Sequence, residues 1–222
     1  MKKSKIKALK SKLPKHPNVL GRDRFFNSAV LIALVDIDKI PHLLLQKRAK
    51  GIKQGGDICF AGGGFDEKLD KNFKDTVYRE LFEELGIKKS DIKIYGQLDT
   101  YFTTIGAVIE PFVGKIKKNA IKNMKIDKNE VEKVLLIPLE FFKKNKPEIY
   151  NLKHLVIPHE IDENGEKIVY FSTKELGLPE TYHNSWGNKN HKVWVYRYKG
   201  DVIWGITSVL INEFLKKLNS KH

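Results

Sequence analysis

Residues 79–87 run RELFEELGI, from Arg79 to Ile87, and the rest of the fold is read outward from them. Phe73, Val77, Leu81 and Leu85 recur every four residues, which gives a helix from about Phe73 to Leu85 a single buried stripe. Asn72, with Asp75 following it, resembles a capping box, and Gly86 is placed to end the helix in the left-handed conformation. Glu80, Glu83 and Glu84 stand at i, i+3 and i+4. At about 100° per residue they share an arc of about 100° beside the stripe. Like charges so placed repel by about 0.2–0.5 kcal/mol per pair, a cost that a bound cation offsets. Carboxylate oxygens are hard ligands, so Glu80, Glu83 and Glu84 read either as holders of Mg2+ or Mn2+ on one patch or as an ordinary solvated helix face.

Before the helix, five glycines between Gly55 and Gly64 predict an irregular loop. The run Gly62–Gly64 reads either as a flexible turn or as backbone that approaches a phosphate. It lacks the Gly-Lys-Ser/Thr of a phosphate loop. Ala29–Val35 and Leu43–Gln46 read as core strands around a turn holding Asp38 and Pro41. Downstream, Ile92–Leu98, Ile109–Ile116 and Val131–Ile137 read as strands, and Pro138–Phe142 as a short helical turn. A hairpin is expected between Lys153–Ile157 and Lys167–Phe171, joined through Asp162, Asn164 and Gly165. Val193–Tyr198 and Val202–Trp204 then lead into a terminal helix from about Ile206 to Leu218.

A chain of 222 residues with 41% hydrophobic content can bury one well-packed domain. The expected organisation is a basic arm over residues 1–22 and one domain over 23–222, with an insertion around 150–190. Ile6, Leu9 and Leu13 have helix-like spacing within that arm, which reads as a short basic helix or a solvated leader. The longest apolar run, Ala29 to Val35, is far short of the roughly 20 residues of a membrane-spanning helix. No apolar stretch follows the seven lysines of residues 1–15 as a secretory signal requires. Cys59 is the one cysteine, which fits a reducing compartment and excludes an internal disulfide. A cytoplasmic location without a membrane partner is expected. The net charge of +14 comes with only five arginines among 41 cationic residues, and the lysines are spread along the chain. Nucleic acid is therefore not an expected partner, whereas an anionic substrate suits the charge.

Arg79, Glu80, Leu81, Glu83, Glu84, Gly86 and Ile87 match position by position the second half of a Nudix box, and the segment Gly62–Ile87 resembles the whole box. The general spacing puts a glycine at position 65 and a glutamate at 71, where this chain has Phe65 and Lys71. Its glycines lie earlier, and the nearest acids are Asp66, Glu67 and Asp70. This longer loop resembles the coenzyme A pyrophosphatase branch, as do Leu44, Leu45, Arg48, Lys53, Gly56, Phe60, Gly62, Gly63 and Asp66. Ala61 stands where that branch usually has proline, and Lys53 where it has arginine. Pro111–Gly114, Glu130-Val131, Pro138-Leu139 and Ile203–Thr207 extend the resemblance over about Ser28 to Leu215, least clearly in the insertion.

The resemblance implies an α+β fold, an α/β/α sandwich with a mixed central sheet and a catalytic loop-helix-loop. It implies an enzyme that uses Mg2+ or Mn2+ to hydrolyse a small-molecule phosphoanhydride: coenzyme A, split into 3',5'-ADP and 4'-phosphopantetheine. Alternatives are another nucleoside diphosphate derivative (ADP-ribose, a dinucleotide, an oxidised nucleoside triphosphate) or a non-catalytic nucleotide- or RNA-binding module. Glu83, slightly preferred, or Glu130 would accept the proton of the attacking water. Arg79 would orient the helix or a box glutamate through an ion pair, with Asp70 a candidate partner. Arg48, Lys53, Gly62 and Gly63 would meet the substrate phosphates, and a homodimer is compatible.

Overall fold

The computed structural model describes residue 8, residues 11–15 and residues 18–220. Of the apolar positions expected to mark an N-terminal helix, Ile6 and Leu9 lie outside the described residues, and Leu13 is exposed. The long apolar strands pair into one mixed sheet. Strands β1 (Phe26–Ile37) and β2 (Ile40–Arg48) are antiparallel around Asp38 and Lys39, both at positive φ. Pro41, expected in the turn, pairs with Asp36 inside β2. The short strands β3 (Ile58–Cys59) and β4 (Gly62–Gly64) pair with β2 and β1, respectively. The expected irregular loop over Gly55–Gly64 is thus partly sheet, because the glycines let the chain lie flat against β1.

Helix α1 (Phe73–Leu85) follows with the bounds its periodicity predicts. Strands β5 (Ile92–Gln97), β6 (Tyr101–Phe102) and β7 (Ala107–Ile116) come next, with β7 parallel to β1 and the other two antiparallel to β7. After the short helix α2 (Lys118–Lys122), β8 (Val131–Pro138) pairs with β2. Helix α3 (Leu139–Lys144) leads to β9 (Glu148–Val156), β10 (His159–Ile161) and β11 (Lys167–Val169). Strands β12 (Trp186–Tyr198) and β13 (Asp201–Trp204) and helix α4 (Gly205–Asn219) complete the chain. The expected hairpin is corrected: His154–Val156 pairs with β12 as part of β9, and the hairpin is β10–β11. Each expected partner carries β-branched residues, Val156 and Ile157 in one and Ile168 and Val169 in the other, so composition alone left the pairing open.

Alternate side chains of the central sheet face two apolar cores. On one face Ala29, Leu31, Ala33 and Leu44 pack on Val77, Leu81 and Leu85 of α1. On the other, Ile32, Leu43 and Leu45 pack with Phe142 of α3, Tyr196 of β12 and Leu210, Ile211 and Phe214 of α4. The class is α+β as expected, with one outer layer built partly from the sheet β13-β12-β9.

Leu81 is fully buried whereas Phe82 is 56% exposed. Leu81→Ala is expected to destabilise the chain by about 2–5 kcal/mol in denaturant melts, and Phe82→Ala by about 1 kcal/mol or less. Equal losses would contradict the orientation of α1.

Candidate active site

The ends of α1 are fixed by the residues its sequence suggested. The Asn72 side chain accepts hydrogen bonds from Lys74 N–H (3.0 Å) and Asp75 N–H (3.2 Å). Gly86, at φ 67°, donates its N–H to Phe82 O. The loop after α2 then caps the exposed carbonyls: Lys125 N–H donates to Leu85 O (2.9 Å) and Asp127 N–H to Glu84 O (3.0 Å). Glu130 arrives beside Arg48 in this way, its carbonyl accepting from Ala49 N–H at 2.9 Å.

Glu84 is 2% exposed. Its carboxylate accepts Gln46 Nε2 at 2.7 Å and Gly62 N–H at 3.1 Å. Burial pushes its pKa up to about 7; the two hydrogen bonds oppose the rise, and the charges of Glu80 and Glu130 add to it. Burial likewise raises Glu80, with Glu83 and Glu130 contributing and Arg79 opposing. A Cβ on Gly63 would stand 2.4 Å from the Glu80 carboxylate, so the missing side chain makes the space that Glu80 fills. Gly62, at φ 145°, could carry no Cβ either, since one would meet Ala29 O at 2.2 Å. Both glycines thus hold the glutamates against the sheet.

Arg79 spends all its donors on this corner. Nε and Nη2 donate to the two oxygens of Asp70 at 3.0 and 2.9 Å, and Nη2 also to Gly64 O at 2.8 Å. Nη1 donates to Glu80 at 2.8 Å and to Glu83 at 2.9 Å. The Arg79 hydrogen bonds hold the Asp70 carboxyl below the usual range, helped by Asp66 N–H and Thr76 Oγ1 and opposed by burial. Asp70 thereby fills the role of ion-pair partner suggested for it.

The three box glutamates differ in burial. Glu80 and Glu84, one turn apart, face β4, whereas the Glu83 side chain is half exposed and lies against Arg79. Among the described residues, no three His, Cys, Asp or Glu side chains are gathered closely enough to hold a metal ion as they stand. The hard oxygen donors at this corner are Glu80, Glu83 and Glu84, with Glu130 near enough to repel Glu80 and Glu84. The buried Gln46 Oε1 beside Glu84 has no hydrogen-bond partner, an acceptor suited to a cation or its water.

Arg48 faces the same side of the sheet as Gln46, and its Nε donates to Lys53 O at 3.1 Å. Lys53 itself is exposed on the loop between β2 and β3. Burial, and secondarily Glu84, pushes the Cys59 thiol up to about 11, so it is protonated at neutral pH. Two residues escaped sequence reasoning. Gln46 was legible as a polar residue on the helix-facing side of an apolar strand. Trp204, whose indole N–H donates to Asp57 at 3.1 Å, had no local signal because the contact joins distant parts of the chain.

The NUDIX domain profile matches residues 26–185. Nudix hydrolase 3 of Caenorhabditis elegans is 28% identical over 211 residues, covering 92% of this chain and 79% of that protein. An uncharacterized Nudix hydrolase, NudL, of Photorhabdus laumondii is 26% identical over 210 residues, covering 93% and 91%. The peroxisomal coenzyme A diphosphatase ndx-8 of Caenorhabditis elegans is 30% identical over 119 residues, covering 52% of this chain and half of that protein.

The folded chain binds the Glu84 proton more tightly than the unfolded chain does. Metal-free stability therefore falls as pH rises from the ordinary 4.5 through about 7, by no more than about 3 kcal/mol. In a chelator, Glu84→Gln is expected to melt higher than the parent above neutrality and level with it in acid. A difference independent of pH would contradict the buried carboxylate.

Proposed function

This chain belongs to the Nudix family, and on that premise we propose that it hydrolyses coenzyme A or its acyl derivatives to 3',5'-ADP and 4'-phosphopantetheine. That it is a pyrophosphohydrolase acting on nucleoside diphosphate derivatives follows from the family. The finer substrate rests on the residues upstream of α1, from Leu44 to Asp66, and on the partial likeness to a coenzyme A diphosphatase. The observation that carries the reaction is the buried Glu84 beside Glu80, a desolvated anionic pair aimed at the glycine strand.

Nudix hydrolases use divalent ions such as Mg2+ or Mn2+; here Glu80 and Glu84 would hold them, with Glu130 close by. A bound ion supplies positive charge to the phosphoanhydride oxygens and acidifies water. Gln46 and Gly62 N–H fix the direction of the Glu84 carboxylate. Arg48 and Lys53 contact substrate phosphates at the mouth, where cationic side chains meet a pyrophosphate and a 3'-phosphate. A water oxygen attacks one phosphorus in line, the bridging P–O bond breaks, and the bridging oxygen leaves with the other phosphate.

The water's proton goes to Glu130. Glu83, the other carboxylate that the resemblance offers, is engaged by Arg79, whereas among the described residues no side chain holds the Glu130 carboxylate. Arg79 acts as a positioning residue through Asp70 and Glu80.

The test is product analysis of a panel of coenzyme A, ADP-ribose, a dinucleotide and an oxidised nucleoside triphosphate, each with Mg2+ or Mn2+ and with a chelator. Coenzyme A is expected to turn over only with metal. Glu84→Gln should lose most turnover, Glu130→Gln about 10²–10⁴-fold in kcat, and Glu83→Gln far less. Turnover of another pyrophosphate with coenzyme A untouched would overturn the substrate, and Glu83→Gln losing more than Glu130→Gln would overturn the base. A second expected outcome concerns Gln46→Leu: Mn2+ affinity weaker by about 10–100-fold in a binding titration, with the melting temperature kept. Unchanged affinity would remove Gln46 from the site.

A further inference from the structure

Residues 148–185 lie outside both apolar cores. Only Pro158 and Thr173 are buried among them. Strand β9 packs chiefly on β12, and β10 and β11 chiefly on each other. A two-stranded ribbon is marginal by itself, and each ordered residue costs about 1–2 kcal/mol of backbone entropy. The segment nonetheless exposes half of the large exposed apolar side chains among the described residues, with Ile161, Tyr170 and Leu176 at 62%, 61% and 60%. An apolar surface of this extent marks a docking face.

The charge of the segment identifies what docks on it. It holds seven acidic residues against Lys153, Lys167 and Lys174, a net of −4 in a chain of +14, which leaves +18 on the remainder. Two bodies of like charge repel, and so do two acidic arms laid edge to edge along β9. Arm on body is the one pairing of two copies in which apolar burial and charge agree. We propose that residues 148–185 form a dimerisation arm that lies on the basic body of a second copy. Each copy gives one arm and receives one, so a two-fold axis closes the assembly.

Sedimentation velocity of the full chain, over a concentration series at low and high salt, tests this. A dimer that weakens as salt rises is expected. Ile161→Asn combined with Tyr170→Asn and Leu176→Asn removes the apolar contact. Glu163→Lys combined with Glu166→Lys and Glu175→Lys reverses the charge. Each set should raise the dissociation constant at least about tenfold, or about 1.4 kcal/mol. At a concentration where the parent is monomeric, the melting temperature should stay put, because the altered side chains touch neither core. A monomer at every concentration would overturn the proposal and leave the arm to a different macromolecule. A dimer that neither set weakens would overturn it as well.

Discussion

Holding the Glu84 carboxylate out of water is the constraint on which the rest of the structure depends. A buried anion costs several kcal/mol unless hydrogen bonds or a cation compensate it. Gln46 and Gly62 N–H compensate in part, and the pKa of about 7 records what remains. The surrounding elements follow from that demand. The glycine strand must run close enough to donate from Gly62 and be bare enough at Gly63 for Glu80. The apolar stripe of α1 must then anchor the helix against β1 so that neither carboxylate swings into solvent.

Arg79 works on the same problem from the other side. Its five N–H groups tie Asp70, Glu80, Glu83 and Gly64 O into one corner, which fixes the loop between β4 and α1. A planar guanidinium can serve four acceptors at once, and lysine could not. The longer glycine-to-helix loop of this chain thus still closes on the helix, with Asp70 supplying the acid that the usual spacing places at Lys71.

Much of this was legible before any coordinates, because it is local. The bounds of α1, its caps and its buried stripe follow from residues 72–86 alone. Helical spacing puts the three glutamates within one arc, and what it does not contain is their difference in burial: Glu84 turns inward onto Gln46 and Gly62 N–H, whereas Glu83 stays half exposed and shares Arg79 with Glu80. The partner of β9 was misread because pairing is decided by distant strands. Glu130 and Trp204 reach their places through loop capping and a contact between distant segments, which no short window of sequence contains.

On the proposed function, the two inward glutamates bind a divalent ion. Paramagnetic titration of the metal-free chain with Mn2+ measures this without substrate or turnover. Saturable binding is expected in the parent, lost in the double variant Glu80→Gln/Glu84→Gln and kept in Glu83→Gln. Equal binding by the parent and the double variant would contradict it.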